Sequence, residues 1–368
     1  MIKNGHYYPD WIWKNKLHKD EITGEYKGNS AIAIIEGNRF GGKSVGVGIY
    51  ALLDFIKYGY RSTFVTRYVT DLENQKILPV ESFWEKAIKF INSDEKRIDN
   101  IEDYQLTFKN HHAYLNGELF CYPAALSTSG KQKLATFDNV HNIIFDEYVN
   151  EDGSELPDEI QSIYRLYDTI ARGREDALLT TSMIFISNCI TKASSLKEEL
   201  GVSKEIRNDT KRIDRGSTKG WCYEKVMNDA VKEKYNQSAI AKAMNCGDVG
   251  QMYLGYAQSN EWKDNDNFVQ TKPPKGRSVY CYNITYNNEI YALKYYNSEK
   301  VFYFTSDVDP NYNINYSINK ESHTNDTILI NENIRNRLRM LKDYFGRGEL
   351  LFNTLTSKKV FMDIYRYI

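Results

Sequence analysis

The chain has 368 residues, of which 41% are hydrophobic and 26% charged, with a formal net charge of −1. That length suits two or three domains of ordinary globular composition. The near-neutral balance excludes a global basic footprint for nucleic acid, so any such contact must come from local patches.

Taken in chain order, residues 1–30 are polar and aromatic without a clear period. "SAIAIIEG" (Ser30–Gly37) reads as a buried strand and "KSVGVGIYALLDFIKYG" (Lys43–Gly59) as an amphipathic helix stopped by glycine. "STFVTR" (Ser62–Arg67) is a second strand and "VESFWEKAIKFIN" (Val80–Asn92) a second helix. Short strands "YQLTF", "HAYL" and "ELFCY" follow, the last two joined by Asn116–Gly117, a strong hairpin signal. "HNIIFDEY" (His141–Tyr148) is a buried strand ending in two carboxylates. "SIYRLYDTIARGRED" (Ser162–Asp176) is helical, and "TSMIFISNC" (Thr181–Cys189) is a further apolar strand. Near-continuous apolar strands alternating with helices predict a mostly parallel sheet covered on both faces.

The pattern changes near residue 197. The stretch Lys204–Lys225 is basic, and "YEKVMNDAVKEKYNQSAIAKAMNCG" reads as one or two helices. A linker with adjacent prolines, Pro273 and Pro274, leads to three strands, "SVYCYNITY", "EIYALKYY" and "VFYFTS". Their short turns predict an antiparallel meander, and helical spacing returns in "ILINENIRNRLRMLKDYFG" (Ile328–Gly346). The expected organisation is residues 1–197, a helical and basic linker or lid over 198–270, and an α+β domain over 271–368. No run approaches the ~20 apolar residues of a membrane span, and a cytoplasmic location is expected. Cys121, Cys189, Cys222, Cys246 and Cys281 are scattered without a C-x-x-C pair, which argues against a disulfide framework or a zinc site.

Two stretches carry chemistry. Gly37, Asn38, Arg39, Phe40, Gly41, Gly42, Lys43 and Ser44 spell G-x-x-x-x-G-K-S between a buried strand and a helix. Glycines let backbone N–H groups curl around an anion, and the helix N-terminus adds a favourable dipole. Lys43 would reach the β- and γ-phosphates of ATP, and the Ser44 hydroxyl would bind Mg²⁺. In "IIFDE", Asp146 would complete the Mg²⁺ shell and Glu147 would orient and deprotonate the attacking water. Asn188, at the end of the next apolar strand, either senses the γ-phosphate or belongs to a strand-end turn. Arg172 and Arg174, and Lys131 and Lys133, either serve a neighbouring subunit's phosphates or are solvated.

"GNRFGGKS", "IIFDEY", "ARGRED" and "FISN", in this order and spacing, resemble the DNA-packaging ATPases of tailed phages, the phi29-type encapsidation proteins related to large terminase subunits. The resemblance covers the first 190 or so residues. It implies a P-loop ATPase domain of the additional-strand, catalytic-glutamate type (ASCE). It also implies a homo-oligomeric ring, a pentamer in the family, with double-stranded DNA threaded through its centre. Lys43, Ser44, Asp146 and Glu147 would take the roles above, with a trans-acting arginine matching Arg174 and a trans-acting lysine matching Lys133. The ring would dock on the capsid portal (connector), with a structural prohead RNA, in the cytoplasm of an infected bacterium.

The C-terminal section resembles the RNase H-like nuclease domain of large terminases. That chemistry needs clustered carboxylates, one of them on the first strand, and "SVYCYNITY" offers only Asn283. The expectation is therefore a vestigial nuclease fold and an ATP-driven motor without a cutting activity. The alternatives are a helicase-like nucleic-acid ATPase, a nucleotide-dependent assembly protein with little turnover, and a complete terminase with an active nuclease. Arg67 and Lys76 are weaker candidates for residues facing a DNA pore.

Overall fold

Four two-residue strands open the chain as two ribbons, β1 (Ile2–Lys3) with β2 (His6–Tyr7) and β3 (His18–Lys19) with β4 (Tyr26–Lys27). Helix α1 (Asp10–Asn15) lies between them in sequence. The coordinates are a computed structural model. It describes residues 2–364 except 4–5, 21, 40, 74–78, 94–102, 129–136, 150–154, 157, 173, 190, 192, 208, 247–267, 287–288, 313, 319 and 321. The chain divides into two units, Met1–Lys263 and Asp264–Ile368.

The first unit is built around β5 (Ile32–Gly37), all six residues of which are buried. The strands that follow are β6 (Arg61–Thr66), β7 (Leu106–Lys109), β8 (His112–Leu115), β9 (Glu118–Ala125), β10 (Val140–Asp146), β11 (Ser182–Asn188), β12 (Arg212–Arg215) and β13 (Trp221–Val226). With β5 they form a nine-stranded sheet in the order β12-β13-β5-β11-β10-β6-β9-β8-β7. The six strands from β13 to β9 are mutually parallel. The pairs β12–β13, β8–β9 and β7–β8 at the margins are antiparallel.

The all-apolar strands follow from burial on both faces. Side chains alternate, so Ala33 and Ile35 join one core while Ile32 and Ile34 join the other. The first core is roofed by α2 (Lys43–Tyr58) and α4 (Pro79–Ser93), which contribute Val47, Leu52, Phe83 and Trp84. A short α3 (Val69–Glu73) lies between these two in sequence. Helix α5 (Glu159–Ala171) closes the second core with Ile163, Leu166 and Ile170. The expected Asn116–Gly117 hairpin forms, with φ of 51° and 84° at the two turn residues.

Two sequence expectations change. Tyr223–Val226, expected to start a helix, instead belong to the strand Trp221–Val226: Trp221 and Tyr223 enter one core and Cys222 the other. Successive residues enter opposite cores, the period of two that a strand serves and a helix does not. The boundary expected near residue 197 also does not end the first unit, because its sheet takes in Arg212–Val226. All five cysteines are free thiols. Among the described residues no helix is long and apolar enough to cross a membrane.

The second unit holds the expected meander, β14 (Ser278–Tyr286), β15 (Glu289–Tyr296) and β16 (Val301–Thr305). Three short strands, β17 (Asn315–Ser317), β18 (Ile328–Leu329) and β19 (Leu350–Phe352), extend it to the order β18-β17-β14-β15-β16-β19. β17 is parallel to β14, β18 to β17 and β19 to β16. Helices Glu332–Gly346 and Leu355–Ile364 bring Ile334, Leu338, Leu341, Phe361 and Ile364 into a core with Ile284, Phe304 and Phe352.

Candidate active site

Parallel sheets gather loops at the carboxyl ends of their strands, where ligands bind. Here Gly37 ends β5, and the register sets Asn188 of β11 and Val226 of β13 on either side of it. Gly37 is required by space: a Cβ there would come within 2.2 Å of the Val226 carbonyl oxygen. Gly42, at φ 81°, turns the chain into α2 without a side-chain cap. The first amides of that helix are left without intrahelical acceptors, the arrangement that receives anions.

Lys43 is only 7% exposed. Its Nζ donates to Asn38 O (2.8 Å), Gly37 O (3.1 Å) and Asn188 Oδ1 (3.3 Å). Burial pushes its pKa down to about 8, with Asp146 and Glu36 among the charges that oppose the shift. Asn38 Oδ1 accepts from the Asn228 amide (3.3 Å). Its Nδ2 is buried with no partner among the described residues.

Ser44 Oγ donates to Asp146 Oδ1 (3.1 Å), so the two groups expected around Mg²⁺ already meet. The Glu147 amide donates to the same oxygen (3.2 Å). Burial, reinforced by the neighbouring Glu147 charge, raises the Asp146 pKa to about 6; the Ser44 hydrogen bond and Lys43 oppose the rise. Glu147 is exposed and sits at φ 57°, in the left-handed region that only a few per cent of non-glycine residues occupy.

These residues fit a triphosphate with Mg²⁺. A desolvated lysine and a buried, unpartnered Asn38 Nδ2 supply donors for phosphate oxygens. One carboxylate and one hydroxyl suit a cation that usually binds through one or two carboxylates plus substrate phosphates and water.

The remaining expected residues are distributed as follows. Phe40, Lys131, Lys133 and Lys76 lie outside the described residues. Arg39 is half-buried in the loop, and Arg172 is exposed at the end of α5. Arg174 is not brought to Lys43 and Asp146. Its Nη1 donates to Val140 O, its Nη2 to Thr180 Oγ1 (2.6 Å) and its Nε to Asp176 Oδ1 (3.0 Å). Val140 begins β10 and Asp146 ends it, so Arg174 lies at the other end of that strand, ~20 Å away at ~3.3 Å per residue.

Arg67, considered above as a pore residue, is 4% exposed. It makes a bidentate pair with Glu159 (2.7 and 2.8 Å) and donates to the Tyr148 carbonyl (2.7 Å). The strand-end position that suggested a pore places it under the carboxylate turn instead. Sequence reasoning also missed Glu36 and Lys197, a fully buried ion pair (2.7 Å) immediately before the glycine loop. The available signal was a single carboxylate at the end of an otherwise apolar strand.

A sequence model of the podovirus DNA encapsidation protein (Gp16) family matches residues 26–368. The chain is 22% identical over 333 residues to the DNA packaging proteins of Bacillus phages PZA and phi29, covering 88% of this chain and 90% of each relative. In fold it is similar to a chain of the bacteriophage Phi-29 viral genome packaging motor assembly. That match has a TM-score of 0.67 at 19% identity and covers 98% of this chain and 99% of the other.

Proposed function

The chain belongs to the podovirus DNA encapsidation protein (Gp16) family, and from that premise we propose that it is the ATP-hydrolysing subunit of a motor that drives double-stranded viral DNA into an empty capsid. The observation that carries this reading is the convergence of Lys43, Ser44, Asp146 and Asn188 at the ends of three adjacent parallel strands.

Lys43 exchanges its bonds to the loop carbonyls for phosphate oxygens, regaining in that contact what burial took from its charge. Asn38, Arg39, Phe40 and the glycines Gly37, Gly41 and Gly42 wrap the phosphates. Asn188, whose Oδ1 accepts from Lys43, senses the γ-phosphate. Ser44 and Asp146 are the residues that hold Mg²⁺, which when bound neutralises phosphate charge. Glu147, exposed beside them, positions the attacking water and accepts its proton.

Arg174 and Lys133 act on a neighbour's nucleotide in a homo-oligomeric ring, a pentamer. Arg174 lies at the end of β10 away from its own phosphate loop, and to serve a neighbour it must give up its bonds to Val140, Asp176 and Thr180. The ring works in the host cytoplasm at the portal vertex, with a structural prohead RNA.

The second unit is RNase H-like. The order β16-β15-β14-β17-β18, with an antiparallel meander followed by parallel strands, supports that reading. Asn283, 1% exposed on the first strand, gives its amide to Asn315 Oδ1 (2.7 Å) and Tyr312 O (3.2 Å). A structural amide thus stands where metal-dependent cleavage needs a carboxylate, and the unit is a vestigial nuclease that binds rather than cuts.

Replacing Glu147 by Gln tests the site. Nucleotide affinity should be retained and turnover abolished; unchanged hydrolysis would remove Glu147 from the mechanism.

A further inference from the structure

The Glu36 carboxylate, near the end of β5, gathers side chains from three other segments of the first unit. Its Oε1 accepts from Lys197 Nζ (2.7 Å) and from Tyr148 OH (2.8 Å), and its Oε2 accepts from Tyr223 OH (3.1 Å). Glu36 and Lys197 are both 0% exposed. Glu36 directly precedes Gly37 of the phosphate loop. Tyr148 directly follows Glu147. Lys197, on the short helix Ser195–Glu199 beyond β11, also donates to Thr191 O, three residues past Asn188. An apolar pair of similar volume in place of Glu36 and Lys197 would fill this space without the desolvation cost of two buried charges. A charged cluster that converges on one carboxylate, and adjoins the phosphate loop, the Glu147 turn and the segment after Asn188, therefore asks for a role other than stability.

That role follows from the backbone of the carboxylate turn. Glu147 is held at φ 57°, and a non-glycine residue stays in that region only where its surroundings over-determine it. Tyr148 supplies the constraint. Its hydroxyl is fixed by Glu36, its carbonyl by Arg67 and its amide by Ile186 O (3.2 Å).

We propose that Glu36, charge-balanced by Lys197, is a positioning residue: through Tyr148 it locks the Glu147 turn to the phosphate loop, so that the water-activating carboxylate and the nucleotide cradle move as one body. This rests on the assignment of Glu147 under the proposed function. Tyr223 binds the other oxygen of Glu36 from β13, away from the turn, and serves as the internal control.

The test compares Tyr148→Phe with Tyr223→Phe in the full chain. Each removes one hydroxyl from the same carboxylate, so both should lower the melting temperature similarly, by about 2–6 °C. Only Tyr148→Phe should lower kcat for ATP hydrolysis, by about tenfold, with the KM for ATP within about twofold of wild type. Amide exchange in the segment 146–149, measured by mass spectrometry, should quicken in Tyr148→Phe and stay unchanged in Tyr223→Phe. Equal kcat in the two variants, or equal exchange in that segment, would overturn the proposal. Absence of turnover in the wild-type chain would defeat the ATPase reading instead, and the exchange comparison would still decide whether Glu36 fixes the turn.

Discussion

Replacing Asp146 by Asn should make the empty protein more stable while abolishing its use of Mg²⁺. Burial lifts the Asp146 pKa from 3.8 to about 6. A folded-state pKa above the unfolded one means that the neutral carboxyl folds without penalty below about pH 3.8. Stability is then lost as pH rises through about 6. The interval corresponds to about 3 kcal/mol once the group is ionised. Asp146 is only half-buried, so water screens part of that penalty, and an amide accepts a weaker hydrogen bond from Ser44. About 2 kcal/mol remains, or about 4–6 °C in melting temperature. The assay is thermal unfolding from pH 4.5 to 8 without nucleotide and with a chelator. The variant's advantage should be small at pH 4.5, grow through pH 6 and level off above it. A variant no more stable than wild type at pH 7.5, or an advantage independent of pH, would refute the desolvated-carboxylate reasoning.

Gly37→Ala drives a methyl group to 2.2 Å from the Val226 carbonyl oxygen, and both atoms belong to backbone-anchored positions. β5 and β13 must separate, and denaturant unfolding should show a loss of at least about 3 kcal/mol. Arg67→Met strands the Glu159 carboxylate, which is 6% exposed, and should cost about 3–5 kcal/mol by urea titration. Arg174→Ala breaks bonds to Val140, Asp176 and Thr180 and should lower the melting temperature, whereas Arg172→Ala should not. If Arg174 also serves a neighbour, mixed rings containing wild-type subunits should recover turnover beyond the wild-type share.

What was legible in the sequence was local. The glycine loop, Lys43, Ser44 and the strand ending in Asp146–Glu147 are runs of neighbours whose spacing fixes their geometry. The alternation of apolar strands and helices likewise announced the parallel sheet. What escaped depends on pairing between distant segments. β13 sits beside β5 because Trp221, Cys222 and Tyr223 fill both cores there, and nothing within "WCYEKV" names its neighbour. Lys197 finds Glu36 across 161 residues. Arg67 meets Glu159 across 92 residues, so its charge pointed outward in sequence reasoning and inward in the fold. Arg174 was recognisable as an arginine near the end of a helix, but its bonds to the start of β10 become visible only once the strands are stacked.

The most direct measurement is protection of DNA from nuclease in the presence of matching empty capsids, with and without ATP, for the wild type and Glu147→Gln. Wild-type protein should protect DNA only when ATP is supplied, and Glu147→Gln should bind ATP yet protect none. Protection that needs no ATP, or that survives Glu147→Gln undiminished, would contradict a motor driven by hydrolysis at Lys43, Ser44, Asp146 and Glu147.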